Sequence, residues 1–142
     1  MKVSITVSET PTAAERDAIL APLTAHNTAQ IGPTSFKPLA ILLKDESGEI
    51  IGGLYGRTGF DWLFVELLAI PERLRGQDIG TELMQRAEAF AREQDCVGVR
   101  LDTFSFQAPG FYQKLGYEIF GEINDHPRGA QRLFLRKYLP PR

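Results

Sequence analysis

Short runs of alternating or continuous apolar residues recur along the chain, and they predict strands. Period-two alternation bounded by glycine, proline or aspartate indicates a half-buried strand, and a continuous apolar run indicates a buried one. Such runs cover residues 2–7, 39–44, 49–57, 63–70, 97–104, 117–123 and 132–138. The run 63–70 is apolar at nearly every position, which is typical of a central strand buried on both faces.

Three other segments have the 3.6-residue spacing of amphipathic helices. The first begins after residues 10–12, and Pro22 is expected to kink or divide it. The second covers residues 79–94, and the third covers residues 107–115 and stops at Gly116. The resulting order is strand, helix, three antiparallel strands, helix, strand, helix and two strands. It predicts an α+β fold with a mixed, mostly antiparallel central sheet flanked by helices.

The composition is ordinary for a soluble globular protein, and the distribution of charged residues bears on the kind of partner that the protein binds. The chain has 142 residues, a net charge of −2 and no repeat or interdomain linker, so we expect one domain over residues 1–142. Acidic and basic residues are interspersed, which argues against a nucleic-acid partner.

The single cysteine, Cys96, excludes an intramolecular disulfide and a cysteine-rich zinc site, and it fits a reducing compartment. His26 and His126 lack the spacing of metal ligands, so no metal is expected. Residues 1–5 lack the apolar core of a signal peptide, and no apolar run is long enough to cross a membrane. These features predict a cytoplasmic protein without a membrane partner.

A basic turn that contains glycine precedes the second helix, with the sequence Arg73-Leu74-Arg75-Gly76-Gln77-Asp78-Ile79-Gly80. The first N–H groups of a helix have no partner inside the helix, and the helix dipole favours an anion there. The turn therefore predicts a phosphate-binding site, with a plain helix start carrying surface arginines as the alternative. No Gly-x-Gly-x-x-Gly follows a strand and no Gly-Lys-Ser/Thr occurs, so neither a dinucleotide fold nor a P-loop is indicated.

The element order, this turn and the segment 111–117 resemble the GNAT superfamily of acyl-CoA-dependent N-acyltransferases, over essentially the whole chain. The donor-binding signature of that family is Arg or Gln, two residues, Gly, one residue, then Gly or Ala. It corresponds here to Arg75, Gly76, Gln77, Asp78, Ile79 and Gly80. The resemblance implies that amides of this turn bind the pyrophosphate of acetyl-CoA, with charge-assisted hydrogen bonds from Arg75.

Asp78 departs from the family pattern, because the family usually has its first signature glycine there. A glycine permits any φ and close approach of the backbone to phosphate. We expect the aspartate to cap the helix instead, accepting a hydrogen bond from the amide of Gly80 or Thr81 with its carboxylate turned aside.

Tyr112 is the predicted general acid, because it matches the tyrosine that carries this role in the family. An amine that attacks a thioester expels a thiolate, which leaves more easily when it is protonated. A tyrosine has a pKa near 10 and is neutral at pH 7, so it can supply that proton. The alternative is an aromatic side chain that only packs on the sheet.

Glu66 is the predicted general base, because many GNAT enzymes use an acid on this strand to deprotonate the incoming ammonium, often through water. Strand parity places Glu66 on the same face as Leu68 and Ile70. The alternative is an ion pair with Arg57 or Arg100 that only organises the sheet.

The resemblance also implies a set of contacts to the pantetheine arm. Main-chain groups of Leu68 and Ile70 would pair with the arm as an added strand does. Ser105 stands where the family often has an asparagine that touches the arm, and Ala108 keeps the small residue beside it.

These features together predict an N-acetyltransferase that moves an acetyl group from acetyl-CoA to a primary amine by direct attack. The acceptor is left open among a small amine, an amino acid and a peptide N-terminus. The alternatives are a noncatalytic acyl-CoA-binding sensor and a toxin-like acetyltransferase acting on aminoacyl-tRNA. Family habit also implies a homodimer.

Overall fold

The computed structural model describes residues 1–141, and over that range it contains a six-stranded sheet and three α-helices. The helices are α1 (Ala13–Ile31), α2 (Ile79–Glu93) and α3 (Pro109–Lys114). The strands are β1 (Lys37–Lys44), β2 (Ile50–Gly59), β3 (Trp62–Ala69), β4 (Gly98–Phe104), β5 (Glu118–Asn124) and β6 (Gln131–Tyr138). A single 3₁₀ turn, Glu72–Leu74, leads from β3 towards α2.

The sheet has the strand order β1-β2-β3-β4-β6-β5 and is mixed, as the sequence predicts. Only the β3–β4 pair is parallel, and α2 forms the crossover between these two strands. Every other neighbouring pair is antiparallel, and short turns join β1 to β2, β2 to β3 and β5 to β6.

The hydrophobic core lies between one face of this sheet and α2. Alternate residues of β3, β4 and β6 point towards the helix, and its apolar stripe covers them. The fully buried large side chains are Leu63, Met84, Val99 and Leu135. The amphipathic pattern thus predicted both the helix and the face that it buries.

The contacts divide the chain into two compact units, Met1–Thr34 and the part from Ser35 onward. The first unit consists of an N-terminal segment and α1, and the second contains the whole sheet with α2 and α3. The prediction of a single domain stays a prediction.

The predicted strand at residues 2–7 is wrong, because these residues form neither helix nor strand. Alternation marks residues that suit a strand, but a strand also needs a neighbour for its N–H and C=O groups. No strand of residues 1–141 pairs with this segment.

Pro22 does not divide the first helix, so that part of the prediction is wrong: α1 runs through Pro22 without interruption, and the expected kink stays a prediction. A capping box fixes the start of the helix: Thr12 Oγ1 accepts from the Glu15 amide at 3.1 Å, and the Glu15 carboxylate accepts from the Thr12 amide at 2.8 Å. Residues with helical geometry extend on both sides of Pro22 and retain the helix despite the lost hydrogen bond.

Candidate functional site

β3 and β4 separate halfway along their length and leave an opening in the sheet. They are paired only from Trp62 to Val65 on β3, opposite Gly98 to Leu101 on β4. Both strands continue beyond that point, while β3 stays paired with β2 on its other edge. The second half of β3 therefore has a free edge, which a further extended chain can pair with.

This separation corrects the expectation that β3 is buried along its whole length. Leu63 and Val65 are buried, but Leu67 is 60% exposed. The residues beyond Val65 have lost the neighbouring strand that would cover them.

The turn that precedes α2 presents a row of unpaired amides. The first hydrogen bond into the helix runs from the Glu82 amide to the Asp78 carbonyl at 3.1 Å. The amides of residues 76–81 donate to no main-chain acceptor within residues 1–141. Gly76 has a φ of +81°, a conformation that favours glycine. Unpaired amides at a helix N-terminus are suited to bind phosphate oxygens.

Asp78 stands at the N-cap but does not cap the helix, so that prediction is wrong. Its φ and ψ are 61° and 19°, the left-handed conformation, and its side chain makes no capping hydrogen bond. An N-cap side chain bonds back to the helix from an extended backbone, which Asp78 does not have. The backbone here keeps the conformation that a glycine would adopt most easily.

Gly80 brings the turn into contact with two other elements of the site. A Cβ at this position would lie 2.9 Å from Ile70 Cδ1 and 3.0 Å from the Phe111 ring. The absence of a side chain therefore allows the end of β3, the start of α2 and the start of α3 to meet at one point. The sequence predicted these three segments separately, and the structure brings them together.

Arg75 is exposed and folds back on the end of β3 rather than projecting from the turn. Its Nε donates a long hydrogen bond, 3.4 Å, to the Ile70 carbonyl. The guanidinium thus lies beside the residue that follows β3, and its other donors are available to an anion.

Tyr112 packs its ring against the core cluster, with the ring of Phe111 5.0 Å away and the ring of Tyr117 6.2 Å away. Within residues 1–141, every buried side-chain nitrogen and oxygen atom has a hydrogen-bond partner. The Tyr112 hydroxyl has no such partner there, so it is not among the buried atoms and reaches the surface. Burial of the ring raises the pKa of Tyr112 above its usual value. The phenol is therefore protonated at neutral pH, the form that a general acid requires.

A buried polar network behind Tyr112 was not predicted from the sequence. The Tyr117 hydroxyl donates to Glu88 Oε2 at 2.9 Å, and Lys137 Nζ donates to Glu88 Oε1 at 2.9 Å. The Glu88 side chain is only 7% exposed. The signal was available, since Glu88 follows Met84 by four residues and so lies on the buried stripe of α2.

Glu66 lies at a β-bulge, and this corrects the expectation that it shares a face with Leu68 and Ile70. Tyr55 is paired with Leu67 and Gly56 with Val65, so Glu66 is the extra residue of β3. One inserted residue shifts the alternation that follows it. Leu68 and Ile70 consequently pack against the core.

The Glu66 carboxylate itself is 3.7 Å from Arg57 Nη1, and both side chains are about half exposed. The ion pair that the sequence offered as an alternative is therefore present. A solvent-exposed pair of this kind stabilises the fold little and leaves the carboxylate accessible.

Ser105 directly follows β4 and forms two hydrogen bonds to β6, on the edge of β4 that faces away from the opening. Its Oγ accepts from the Gln131 amide at 3.0 Å, and its amide donates to the Gln131 carbonyl at 2.8 Å. The hydroxyl hydrogen remains available to a ligand. Ala108 is exposed at the N-cap of α3.

No cluster of three or more potential metal-ligating side chains occurs among the residues that the structure describes. Over the same residues, no helix combines the length and the apolar character that crossing a membrane requires.

Comparison with known proteins gives consistent matches. Residues 11–117 match the family described as the acetyltransferase (GNAT) family. A blasticidin-S acetyltransferase of Streptomyces morookaense is 45% identical over 95 residues, which cover 66% of this chain and 70% of that protein. An acetyltransferase of Agrobacterium fabrum is 33% identical over 135 residues, which cover 95% of this chain and 98% of that protein.

A solved structure from Agrobacterium tumefaciens, described as a candidate acetyltransferase, has 32% identity and a TM-score of 0.90. The match covers 96% of this chain and 100% of that chain.

Proposed function

Because the chain belongs to the GNAT acetyltransferase family, we propose that it transfers an acetyl group from acetyl-CoA to a primary amine by direct attack. The observation that carries this proposal is the junction at Gly80, where the unpaired amides of the turn meet the end of the free β3 edge. An elongated donor with a phosphate end and an amide-containing arm fits both surfaces at once.

The amides of residues 76–81 would bind the pyrophosphate, with added charge from Arg75. Since that guanidinium donates only a long hydrogen bond to the Ile70 carbonyl, it can turn to a phosphate at small cost. The free edge around Leu68 and Ile70 would hold the pantetheine arm by main-chain hydrogen bonds, and the Ser105 hydroxyl and Ala108 lie across the opening. These residues fit acetyl-CoA by their donors and acceptors.

The reaction requires three proton movements, because nitrogen loses two protons and sulfur gains one. Glu66, or a water that it orients, accepts a proton from the acceptor ammonium, since only the neutral amine can attack. The nitrogen forms a bond to the acetyl carbon and the carbon–sulfur bond breaks. Tyr112 donates its phenolic proton to the departing sulfur, which leaves as the free thiol of CoA. The nitrogen that has gained the acetyl group releases its second proton to solvent, and solvent returns a proton to the Tyr112 phenolate. No activated cysteine or serine is indicated, so we favour direct transfer over an acyl-enzyme.

The acceptor is a small molecule bearing a primary amine in this proposal, with a peptide N-terminus as the alternative. The name of the Streptomyces relative specifies a single compound as its substrate, which favours the first. The exposed Glu66 carboxylate suits a cationic amine of either kind.

Substitution of Tyr112 by Phe tests the proposed general acid. The variant keeps the ring packing, so we expect kcat to fall about 100-fold or more, with acetyl-CoA affinity within twofold of wild type. Free thiol release measures turnover and calorimetry measures the affinity. Gln113→Ala, at an exposed neighbour on α3, is the matched control and should change neither. Equal turnover in Tyr112→Phe and wild type would remove Tyr112 from the mechanism.

A wild-type protein that binds acetyl-CoA and releases no thiol with any amine would instead favour the noncatalytic sensor. Donor binding and transfer are therefore measured separately on the same preparation.

A further inference from the structure

The face of the sheet that points away from α2 is built from arginine and aromatic side chains. Along β3, β4 and β6 the residues between the buried ones lie on this outer face. Its members on these strands include Trp62, Phe64, Arg100, Asp102, Phe104, Arg132, Phe134, Arg136 and Tyr138. Several of the guanidinium groups lie over rings, for example Arg132 over Phe104 at 5.4 Å and Arg136 over Phe120 at 4.8 Å.

Most arginines of this outer face are held by a carboxylate. Arg132 binds Asp102 through both Nε and Nη2, Arg136 Nε binds Glu118 at 2.9 Å, and Arg57 lies 3.7 Å from Glu66. Such pairs fix the guanidinium groups and cancel their charge locally.

Arg100 differs, because it forms no ion pair within residues 1–141. Its guanidinium lies 4.3 Å from the centre of the Phe64 ring, and Arg57 lies over the same ring at 5.0 Å. Partial burial and the charge of Arg57 lower the pKa of Arg100 from its usual value, while Asp102 partly opposes them. A guanidinium so placed would gain from an added anion.

Arg100 also lines an open depression of about 260 Å³ on this face. Trp62 and Tyr138 form part of its wall, with ring centres 5.2 Å apart in an edge-to-face arrangement, and Phe120 and Arg136 also line it. A hollow with aromatic walls and an unpaired guanidinium suits a planar or apolar group that carries a negative charge.

We propose that this outer face binds the acyl acceptor, and that Arg100 holds a carboxylate of that acceptor while Glu66 holds its ammonium. The substrate class is therefore an amine that also bears a carboxylate. That this ligand is the acyl acceptor rests on the proposed acetyltransferase function. The two anchors are geometrically compatible. The Arg100 guanidinium lies over the Phe64 ring, and Arg57 contacts both that ring and the Glu66 carboxylate, so the two anchors are neighbours on this face.

The location also suits the chemistry. The turn and Gly80 lie on the core side of the sheet with α2, whereas Glu66 and Arg100 lie beside the opening on the other side. A donor that enters from the core side would meet an acceptor from the outer face at the point where β3 and β4 separate.

Trp62 provides the test, because it is the only tryptophan of the chain and lines the depression. The probe is 4-(aminomethyl)benzoate, in which a ring separates an ammonium from a carboxylate, and its comparison compound is the carboxamide, 4-(aminomethyl)benzamide. Each is titrated into the full chain while Trp62 emission is recorded. This readout requires neither donor binding nor transfer, so it is independent of the proposed acetyltransferase activity.

We expect Trp62 emission to change saturably with both compounds. The concentration at half-saturation should be about 10- to 100-fold lower for the carboxylate than for the carboxamide, because a charge-assisted hydrogen bond usually contributes that much to affinity. Arg100→Met should abolish this preference, and Arg86→Met, at an exposed arginine of α2, should retain it. A preference that survives in Arg100→Met, equal half-saturation for the two compounds, or no saturable response to the carboxylate would overturn the proposal. Failure of acetyl-CoA to bind in a separate titration would overturn the acetyltransferase function and leave this result standing.

Discussion

At the scale of single residues, Asp78 adopts the left-handed backbone conformation that suits the glycine usually found at this position in the family. The left-handed conformation costs most L-residues about 1–2 kcal/mol, and aspartate tolerates it better than most. The exposed carboxylate makes no capping bond, so it adds a negative charge beside the proposed phosphate site and stabilises the helix only weakly, through its interaction with the helix dipole.

Replacement of Asp78 by Asn should therefore improve donor binding without changing stability. Asparagine also tolerates this conformation, and it removes one charge near the phosphates, so we expect acetyl-CoA affinity to rise about two- to fivefold. Calorimetry measures the affinity, and urea unfolding should show a change below about 0.5 kcal/mol. Asp78→Ala is the control for conformation and should lose about 1 kcal/mol of stability. An unchanged or weaker affinity in Asp78→Asn would mean that the carboxylate does not oppose the donor.

Tyr117 gives a residue-scale prediction of pH dependence. Burial, the charge of Glu88 and its hydrogen bond raise the pKa of Tyr117 above the value near 10 of an exposed tyrosine. Above pH 10 the unfolded chain releases this proton while the folded protein keeps it, so stability present below pH 10 is lost as pH rises. The slope is about 1.4 kcal/mol per pH unit for one group.

Chemical denaturation between pH 9 and 11 checks this expectation. Tyr117→Phe should unfold more easily at neutral pH but lose less stability over the alkaline range than wild type. Parallel pH curves for the two proteins would refute the assignment.

At the scale of elements, Glu88 anchors α2 to the rest of the fold. Its buried carboxylate accepts from Tyr117, which follows α3, and from Lys137 of β6. The Tyr117 amide also donates to the Tyr112 carbonyl at 3.1 Å, so this network fixes the end of the helix that carries the proposed general acid.

Removal of the Glu88 carboxylate leaves the buried Tyr117 hydroxyl and the partly buried Lys137 ammonium without their acceptor, so Glu88→Ala should lower the free energy of unfolding by about 3 kcal/mol. Glu82→Ala is the matched control on the same helix, because Glu82 forms an exposed i, i+4 pair with Arg86 and should change stability by less than about 0.5 kcal/mol. Similar losses in the two variants, measured by urea unfolding, would show that Glu88 contributes no more than a surface ion pair.

The sequence predicted helices and strands correctly where one of their faces is buried. It failed where strand pairing or local backbone conformation determines the structure. The stripe from Leu83 to Ala91 predicted α2 because burial requires that spacing. The bulge at Glu66 escaped prediction, since one inserted residue leaves no mark on composition. The segment 2–7 shows the converse, a strand pattern without a partner.

At the scale of the whole molecule, the core belongs to one of the two units. Every buried hydrophobic residue lies between Leu54 and Leu139, within the unit that begins at Ser35. Apart from the strand expected at residues 2–7, the order of elements and the sheet class could be predicted, because they follow from hydrophobic patterning. The junction at Gly80 could not, because it joins residues distant in sequence, and only the family resemblance indicated that they meet.

We expect the shortened chain 35–142 to unfold cooperatively on its own, since it retains the whole sheet and the buried face of α2. Thermal unfolding followed by circular dichroism should give a single sigmoidal transition, as for the chain 1–142. A gradual, noncooperative melt of residues 35–142 would show that the first 34 residues are required for the fold.

The most direct test of the central claim is a calorimetric titration of the wild-type protein with acetyl-CoA, compared with S-acetylpantetheine, which lacks the pyrophosphate and nucleotide. If the turn before α2 binds the pyrophosphate, acetyl-CoA should bind with micromolar affinity and S-acetylpantetheine at least about 100-fold more weakly, since charge-assisted bonds dominate the difference. Equal affinities for the two compounds, or no binding of acetyl-CoA by wild type and by Asp78→Asn, would contradict the account.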